Sequence, residues 1–571
     1  MSFNSLEKFI LERISKYRMP GLSIALLKND EIVYAKGFGF KDVEFSQPPT
    51  PYTNYCVGSV TKAFTALAVM QLYEKGLLSV DDPVNKYVST IKAGNITIHH
   101  LLTHTSGIPA LGYAEALINS YYGLGGIWLP ISAPDSVLAF MEGYEDWILF
   151  KPSERWFYLN EGYVMLGKII EKVTGLKYEE YVKRNLLDKI GMGKSYFTRE
   201  EYLKDTDRAT PYNVSQDGKL IKVEPIFGIS ADGGLFSNAV DLLKFAKAMI
   251  GRGRYGDTQL VGSKLIELME TPHVKLPYES PTSRYYGYGL TIHDDFQGRK
   301  LVGHSGSVLV YTAYLGYIPD EGVAVTVLSN SSGYPLSLIG AYALTLLLGR
   351  KPEEALHVIK QEELLERLEG VYTGFKNTIG FKVKRVGGTL LLEDVVRKTQ
   401  IPIYPERLTS EHALFYAYGL GVKIPVEFVI EANRLAPLAR MLEVELVAVN
   451  YVYFTQPDVN GVKAELEKID PRGPPVVYTT LPVEAVVKKC KSQRGYPIKP
   501  SLSTGLYLCN VAAYMIMRYG LERRVPAGFV HIPPSTVNML RRESEFGTPL
   551  EEIADTVKCI VEASTGVAFE D

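Results

Sequence analysis

Between residues 59 and 75 the apolar positions Val60, Ala63, Phe64, Leu67, Met70 and Tyr73 recur at spacings of three and four, and Gly76 follows. That period predicts a mostly buried helix stopped by the glycine. Ahead of it, residues 5–18 read as an amphipathic helix. Residues 21–27 and 31–35 read as two strands joined by Lys28-Asn29-Asp30, a good hairpin turn. Helical and loop segments dominate to about residue 280. Residues 287–330 then become β-branched with Gly-rich breaks, and residues 342–348 close the unit as a helix. A hairpin first, helices in the middle and strands returning late predict an α+β layer arrangement, an antiparallel sheet with helices, over residues 1–352.

A charged helical stretch at 353–368 precedes a change of texture. Short alternating runs at 380–386, 389–392, 413–418 and 426–430, separated by turn residues, predict a small antiparallel barrel or sandwich within 353–434. From about residue 440 the pattern changes again. A strand-like run at 444–452, a Pro/Gly-rich stretch, helices at 482–491 and after Leu508, and a closing helix at 550–563 predict an α/β domain at 435–571.

Composition narrows the functional classes. The chain has 571 residues with 62 basic and 64 acidic side chains, a net charge of −2. Such a balance gives no general attraction to nucleic acid or to an anionic membrane. No uncharged apolar run reaches the roughly 18 residues of a membrane span. The first eight residues carry Glu7 and Lys8 and read as the start of a folded helix rather than a signal peptide, so a cytoplasmic location is expected. Four cysteines (Cys56, Cys490, Cys509, Cys559) without CxxC spacing predict neither a disulfide scaffold nor a metal site. No metal or organic cofactor is implied.

The chemistry starts at Ser59-Val60-Thr61-Lys62, which sets a hydroxyl and an amine one helical turn apart on one face. A serine hydroxyl needs a base beside it, and a lysine whose pKa is lowered by desolvation can serve. A serine at a helix start also has backbone N–H groups near the position of an oxyanion. Ser-x-x-Lys alone is weak evidence, since Ser5/Lys8 and Ser89/Lys92 repeat it, and Ser59 alone reads more readily as the N-cap of a buried helix. Three further elements add weight: Tyr158-Leu159-Asn160, Gly303-His304-Ser305-Gly306 at the end of a strand-like run, and Leu101-Leu102-Thr103-His104-Thr105-Ser106-Gly107. A phenol near a lysine ammonium can be held as phenolate and take the serine proton, and an Asn amide can bind a substrate carbonyl.

Together these elements resemble the serine β-lactamase, penicillin-binding-protein and esterase superfamily in its class C-like branch, over roughly residues 5–350. The resemblance implies that Ser59 is acylated and that Lys62 and Tyr158 share the proton transfers, with either one as general base. It further implies that Asn160 orients the substrate amide and that His304 assists electrostatically beside Gly306. The backbone N–H groups of Ser59 and Ser307 would form the oxyanion hole. His304 stands where the family often has lysine, which favours peptidase or esterase activity on small peptides or esters, including peptides with D-residues, over penicillin hydrolysis. His104 belongs to the structural pattern. A penicillin-recognising binder that acylates without turnover is the alternative from another class.

Residues 366–434 resemble the lipocalin-like domain that accompanies some peptidases of this group, through Gly370-Val371-Tyr372, residues 387–392, Ile403-Tyr404-Pro405-Glu406 and residues 425–430. Such domains restrict access to the site or mediate assembly, so a homo-oligomer enters the expectations. Further on, Gly505-Leu506-Tyr507-Leu508-Cys509-Asn510 and Gly528-Phe529-Val530-His531-Ile532-Pro533 resemble pyroglutamyl peptidase, and the likeness spans about residues 435–565. It implies a Cys509 nucleophile, a His531 base and Glu445 as third member, hence a second, cysteine peptidase activity. Two departures count against that activity. Thr455 stands where that family has arginine, and the family's N-terminal portion, with its pocket loop, has no counterpart before residue 435.

Overall fold

A computed structural model describes residues 3–429, apart from 123–130, 216–218, 278–281, 374–379, 396, 410–411 and 420–421, and beyond 429 a set of short strands and three isolated helical positions. The chain divides into two compact units, Met1–Leu356 and His357–Asp571.

The first unit is built on an eight-stranded antiparallel sheet. Its strands are β1 (Gly21–Lys28), β2 (Glu31–Gly39), β3 (Val274–Lys275), β4 (Arg284–Tyr286), β5 (Thr291–His293), β6 (Leu301–Ser307), β7 (Thr312–Ile318) and β8 (Val323–Ser329), in the order β2-β1-β8-β7-β6-β5-β4-β3. The β1–β2 turn has Asn29 at φ +50° and Asp30 at φ +68°, the left-handed pair that matches strand twist in a two-residue hairpin. Every residue of β8 is buried, because helices cover both faces of the sheet. Successive residues of a strand point to opposite faces. On one side Val325 lies against Gly340 in α6 (Leu336–Leu347), and on the other Thr326 Oγ1 donates to the Ala239 carbonyl at the start of α5 (Ala239–Ile250), 2.8 Å away. On the first side α1 (Asn4–Tyr17) packs on α6 through stacked Phe9 and Tyr342 rings, 4.2 Å apart.

The helix expected from residue 59 begins as a single 3₁₀ turn, Gly58–Val60, and becomes α-helical as α2 (Thr61–Glu74). All residues from Thr61 to Leu72 are buried, so α2 lies inside the unit rather than on it. Around it pack α3 (Ile98–Thr103) and α4 (Asn160–Thr174), with Leu67, Leu101, Tyr163 and Leu166 in one apolar core.

In the second unit α7 (His357–Arg367) lies under a six-stranded antiparallel meander, β9 (Gly370–Thr373), β10 (Gly380–Val386), β11 (Thr389–Asp394), β12 (Gln400–Leu408), β13 (His412–Gly419) and β14 (Val422–Val429), paired in chain order. Leu364, Leu365 and Leu368 pack against Val383, Leu390, Ile403, Phe415 and Phe428 on the inner face. Arg385 fixes the helix end by pairing with Glu362 at 3.0 Å and Glu366 at 3.3 Å. The expected barrel or sandwich is corrected here: among the described residues β9 and β14 do not pair, and the sheet stays open. The helix covers the apolar face of the sheet, and four-residue β9 offers little edge to close against. The β12 strand runs through Pro402 and Pro405 by shifting register between Pro405 and Arg407.

Among the residues after 429, β15 (Leu442–Glu445) pairs in parallel with β16 (Ile498–Ser501) and antiparallel with β17 (Phe529–His531). The helices expected at 482–491, after Leu508 and at 550–563 fall essentially outside the described residues. Cys56 is a free buried thiol, while Cys559 is disulfide-bonded, a pairing that cysteine spacing did not announce.

Candidate active site

Ser59 sits on the 3₁₀ turn at the mouth of α2, partly exposed, where two chain segments meet without room for side chains. Gly58 has φ +52°, and a Cβ added to it would lie 2.7 Å from the Ser307 amide nitrogen. A Cβ on Gly306 would lie 1.9 Å from the Val57 carbonyl oxygen and 3.0 Å from the Ser59 amide nitrogen. Only glycine permits both approaches. They bring the amides of Ser59 and Ser307, the two expected oxyanion donors, to the same end of β6. Thr61 braces the turn by donating from Oγ1 to the Gly58 carbonyl at 2.7 Å and accepting from the Leu235 amide at 3.2 Å.

Lys62 has no solvent exposure and its Nζ donates to three oxygens: Ser59 Oγ at 3.1 Å, Asn160 Oδ1 at 2.8 Å and the Asp232 carbonyl at 2.7 Å. Three N–H bonds meet three acceptors, which satisfies a buried ammonium. The α4 helix begins at Asn160, so its first residue meets Lys62 in the first turn of α2. Tyr158, two residues earlier and half-buried, has its ring centroid 4.9 Å from Lys62 Nζ. Four of the predicted residues, Ser59, Lys62, Tyr158 and Asn160, are thus gathered around one ammonium.

His304 departs from its expected part. It is buried on the inward side of β6, while Ser305 and Ser307 face outward. Its Nε2 meets Tyr286 Oη at 2.9 Å and its Nδ1 the Ser305 carbonyl, so both ring nitrogens are occupied by protein. Burial first, then the Lys62 charge, press its pKa down to about 3 against the smaller opposing effect of the Ser305 carbonyl. This favours a neutral imidazole over an imidazolium, with both ring nitrogens turned to protein partners.

Several neighbours carried no motif of their own. Tyr286, on β4, reaches across β5 to His304 and lies 3.3 Å from His104 Nε2. Asp232 holds Lys62 by its carbonyl, while its carboxylate accepts from Tyr113 Oη at 2.6 Å. Glu161, next to Asn160 and 2% exposed, accepts from the Tyr113 amide at 3.3 Å, and burial lifts its pKa to about 7. Tyr286 and Tyr113 give no signal in the sequence, because their place is set by long-range packing.

Of the second constellation, Cys509 lies outside the described residues. Glu445 and His531 lie on the adjacent strands β15 and β17, where Glu443 pairs with His531 and Glu445 with Phe529, one diagonal step apart in register. Among the described residues no group of three or more His, Cys, Asp or Glu gathers as for a metal ion, and no helix is long and apolar enough to cross a membrane.

Comparison with known proteins follows these divisions. Residues 6–349 match the beta-lactamase family, residues 352–439 the Pab87 octamerisation domain and residues 422–566 the pyroglutamyl peptidase family. The middle segment, read above as lipocalin-like, is thus similar to an octamerisation domain. The octameric penicillin-binding protein homologue from Pyrococcus abyssi is 48% identical, with TM-score 0.73, over 76% of this chain and 97% of that one. The penicillin-binding protein from Bacillus halodurans is 25% identical, with TM-score 0.50, over 61% of this chain and 99% of that one. Protein flp from Staphylococcus aureus is 27% identical over 340 residues, 58% of this chain and 63% of its own length. A match across more than half the sequence, on a fold that assembles Ser59, Lys62, Tyr158 and Asn160, makes this chain a member of the beta-lactamase family.

Proposed function

We propose that the chain is a serine hydrolase that acylates Ser59 with small peptide or ester substrates. Lys62 carries the proposal, since its buried ammonium bridges Ser59 Oγ, Asn160 and the Asp232 carbonyl in one fixed geometry. In the first step Ser59 Oγ loses its proton to Tyr158 as phenolate, or to Lys62 once it has given up one of its own, and bonds to the substrate carbonyl carbon. The carbonyl electron pair moves onto oxygen, where the Ser59 and Ser307 amides receive it. A preorganised donor of this kind is worth roughly 10²–10³ in rate. The C–N or C–O bond then breaks, the leaving group takes the proton held by the base, and water repeats the sequence to release the acid. Asn160 turns its amide oxygen to Lys62, which leaves its NH₂ end to orient the substrate carbonyl.

Because His304 is neutral and its nitrogens are occupied, it supplies no cation for a substrate carboxylate. This favours peptidase or esterase activity over penicillin hydrolysis, with peptides containing D-residues among the substrates. Residues 352–439 are the assembly element of a homo-oligomer, supported by their likeness to an octamerisation domain and by the octameric homologue. A second reading, a pyroglutamyl peptidase acting through Cys509, His531 and Glu445, draws support from the adjacency of β15 and β17.

Hydrolysis of p-nitrophenyl esters, D- and L-aminoacyl nitroanilides and pyroglutamyl nitroanilide by wild type, Ser59→Ala and Cys509→Ala tests both. Ester and aminoacyl turnover should vanish in Ser59→Ala and persist in Cys509→Ala. Turnover that survives Ser59→Ala and disappears in Cys509→Ala would transfer the activity to the second constellation.

A further inference from the structure

His104 is buried at the end of α3, in the left-handed conformation at φ +58° that caps the helix. This conformation aims two of its groups at one neighbouring segment. The His104 carbonyl accepts from the Phe157 amide at 2.9 Å, and its Nδ1 accepts from the Leu159 amide at 3.0 Å. These are the two amides that flank Tyr158. The imidazole itself lies against the Tyr158 ring, 4.3 Å between centroids. No other residue touches both sides of the tyrosine in this way among the described hydrogen bonds.

The proton positions follow from the partners. An amide N–H only donates, so Nδ1 of His104 is bare and its proton is on Nε2, facing Tyr286 Oη at 3.3 Å. The Ser305 carbonyl only accepts, so His304 carries its proton on Nδ1, and its Nε2 accepts the Tyr286 hydroxyl proton. The chain His104 Nε2–H to Tyr286 O–H to His304 Nε2 therefore runs in one direction with every group neutral. Burial and the Lys62 charge disfavour a second proton on either imidazole.

We propose that His104 is a positioning residue that holds Tyr158 in register with Lys62 and Ser59 by accepting the Leu159 amide on Nδ1, and that Tyr286 couples this clip to the His304 strand. The proposal rests on the Ser59 acyl-enzyme reading with Tyr158 in the proton path. The Tyr158 ring stands 4.9 Å from Lys62 Nζ, and its backbone is continuous with Asn160, which binds the same ammonium. A slackened clip shifts the phenol without touching Lys62 or Ser59.

Asparagine distinguishes this role from general packing. It tolerates the left-handed conformation, and its Oδ1 can stand where Nδ1 does, whereas it has nothing at the Nε2 position. The test compares steady-state ester hydrolysis and the pre-steady-state acylation burst in wild type, His104→Ala, His104→Asn and Ser59→Ala, with the thermal midpoint recorded for each. In His104→Ala, kcat and the burst rate should fall about 10- to 100-fold with KM within about twofold, the scale of an ångström-level misplacement. His104→Asn should recover about tenfold of that loss. A His104→Ala enzyme with a wild-type burst rate, or a His104→Asn enzyme as slow as His104→Ala, overturns the proposal. Turnover retained in Ser59→Ala instead removes the acyl-enzyme reading beneath it, so the two failures are separate.

Discussion

Replacing His304 by glutamine removes a titratable group while keeping a polar side chain of similar reach, and the consequence is a change in how stability depends on pH. In the unfolded chain an imidazole titrates near 6.5. In the fold, burial and Lys62 hold it down to about 3. Between those values the unfolded chain binds a proton that the folded chain does not, so folding stability falls as pH falls through that window. At about pH 5 the loss is RT ln(1 + 10^1.5), about 2 kcal/mol relative to about pH 8. Glu161 acts with the opposite sign. Its folded pKa of about 7 is raised by burial, so it contributes stability at low pH that is lost as pH rises through 7. Wild-type stability alone mixes these with other buried groups, such as His293, held down to about 4, and the informative quantity is the difference between wild type and His304→Gln. Urea unfolding followed by tryptophan fluorescence isolates this unit, because Trp128, Trp147 and Trp156 all precede residue 357. The variant's disadvantage at about pH 8 should shrink by about 2 kcal/mol at about pH 5. A difference that stays flat with pH means that His304 takes up its proton normally in the folded protein, and the neutral relay through Tyr286 is then wrong.

Two further outcomes follow from close approaches and exposed surface. Gly306→Ala would force the strand end away from the Val57 carbonyl, so the acylation burst should fall by about 10²-fold or more and stability by about 1–3 kcal/mol in thermal unfolding. Tyr404 and Tyr418 expose 48% and 61% of their surface with rings 6.0 Å apart on the second unit, and the double variant Tyr404→Glu/Tyr418→Glu should lower the mass measured by light scattering after size exclusion. An unchanged mass removes that sheet face from assembly.

Much of this architecture is legible in the sequence where the determinants are local. The period of Val60, Ala63, Phe64 and Leu67 gives α2, and Asn29-Asp30 gives the hairpin, because side-chain spacing and turn conformation depend only on neighbouring residues. The Ser59, Lys62 and Tyr158-x-Asn160 motifs likewise mark the residues that meet. The protonation of His304 is not legible, since it depends on how deeply β6 is covered and on a lysine 242 positions earlier in the chain. Tyr286 is invisible for a related reason: it reaches His304 only because β4 and β6 flank the same short strand. The closed barrel was a wrong expectation because alternation specifies one buried face but not what covers it, and here α7 does.

The burial of α2 on every side has a consequence for how this molecule loses activity. Amides in such an element are expected among the slowest to exchange with solvent, at free energies near that of global opening. Ser59 is tied to that helix by one turn, and Lys62 belongs to it. Loops and sheet edges away from Tyr158 and the end of β6 can therefore fray while Ser59 and Lys62 keep their spacing. Residual activity during heat or denaturant challenge should decay in step with the slowest-exchanging amides, which makes turnover itself a clock for global unfolding.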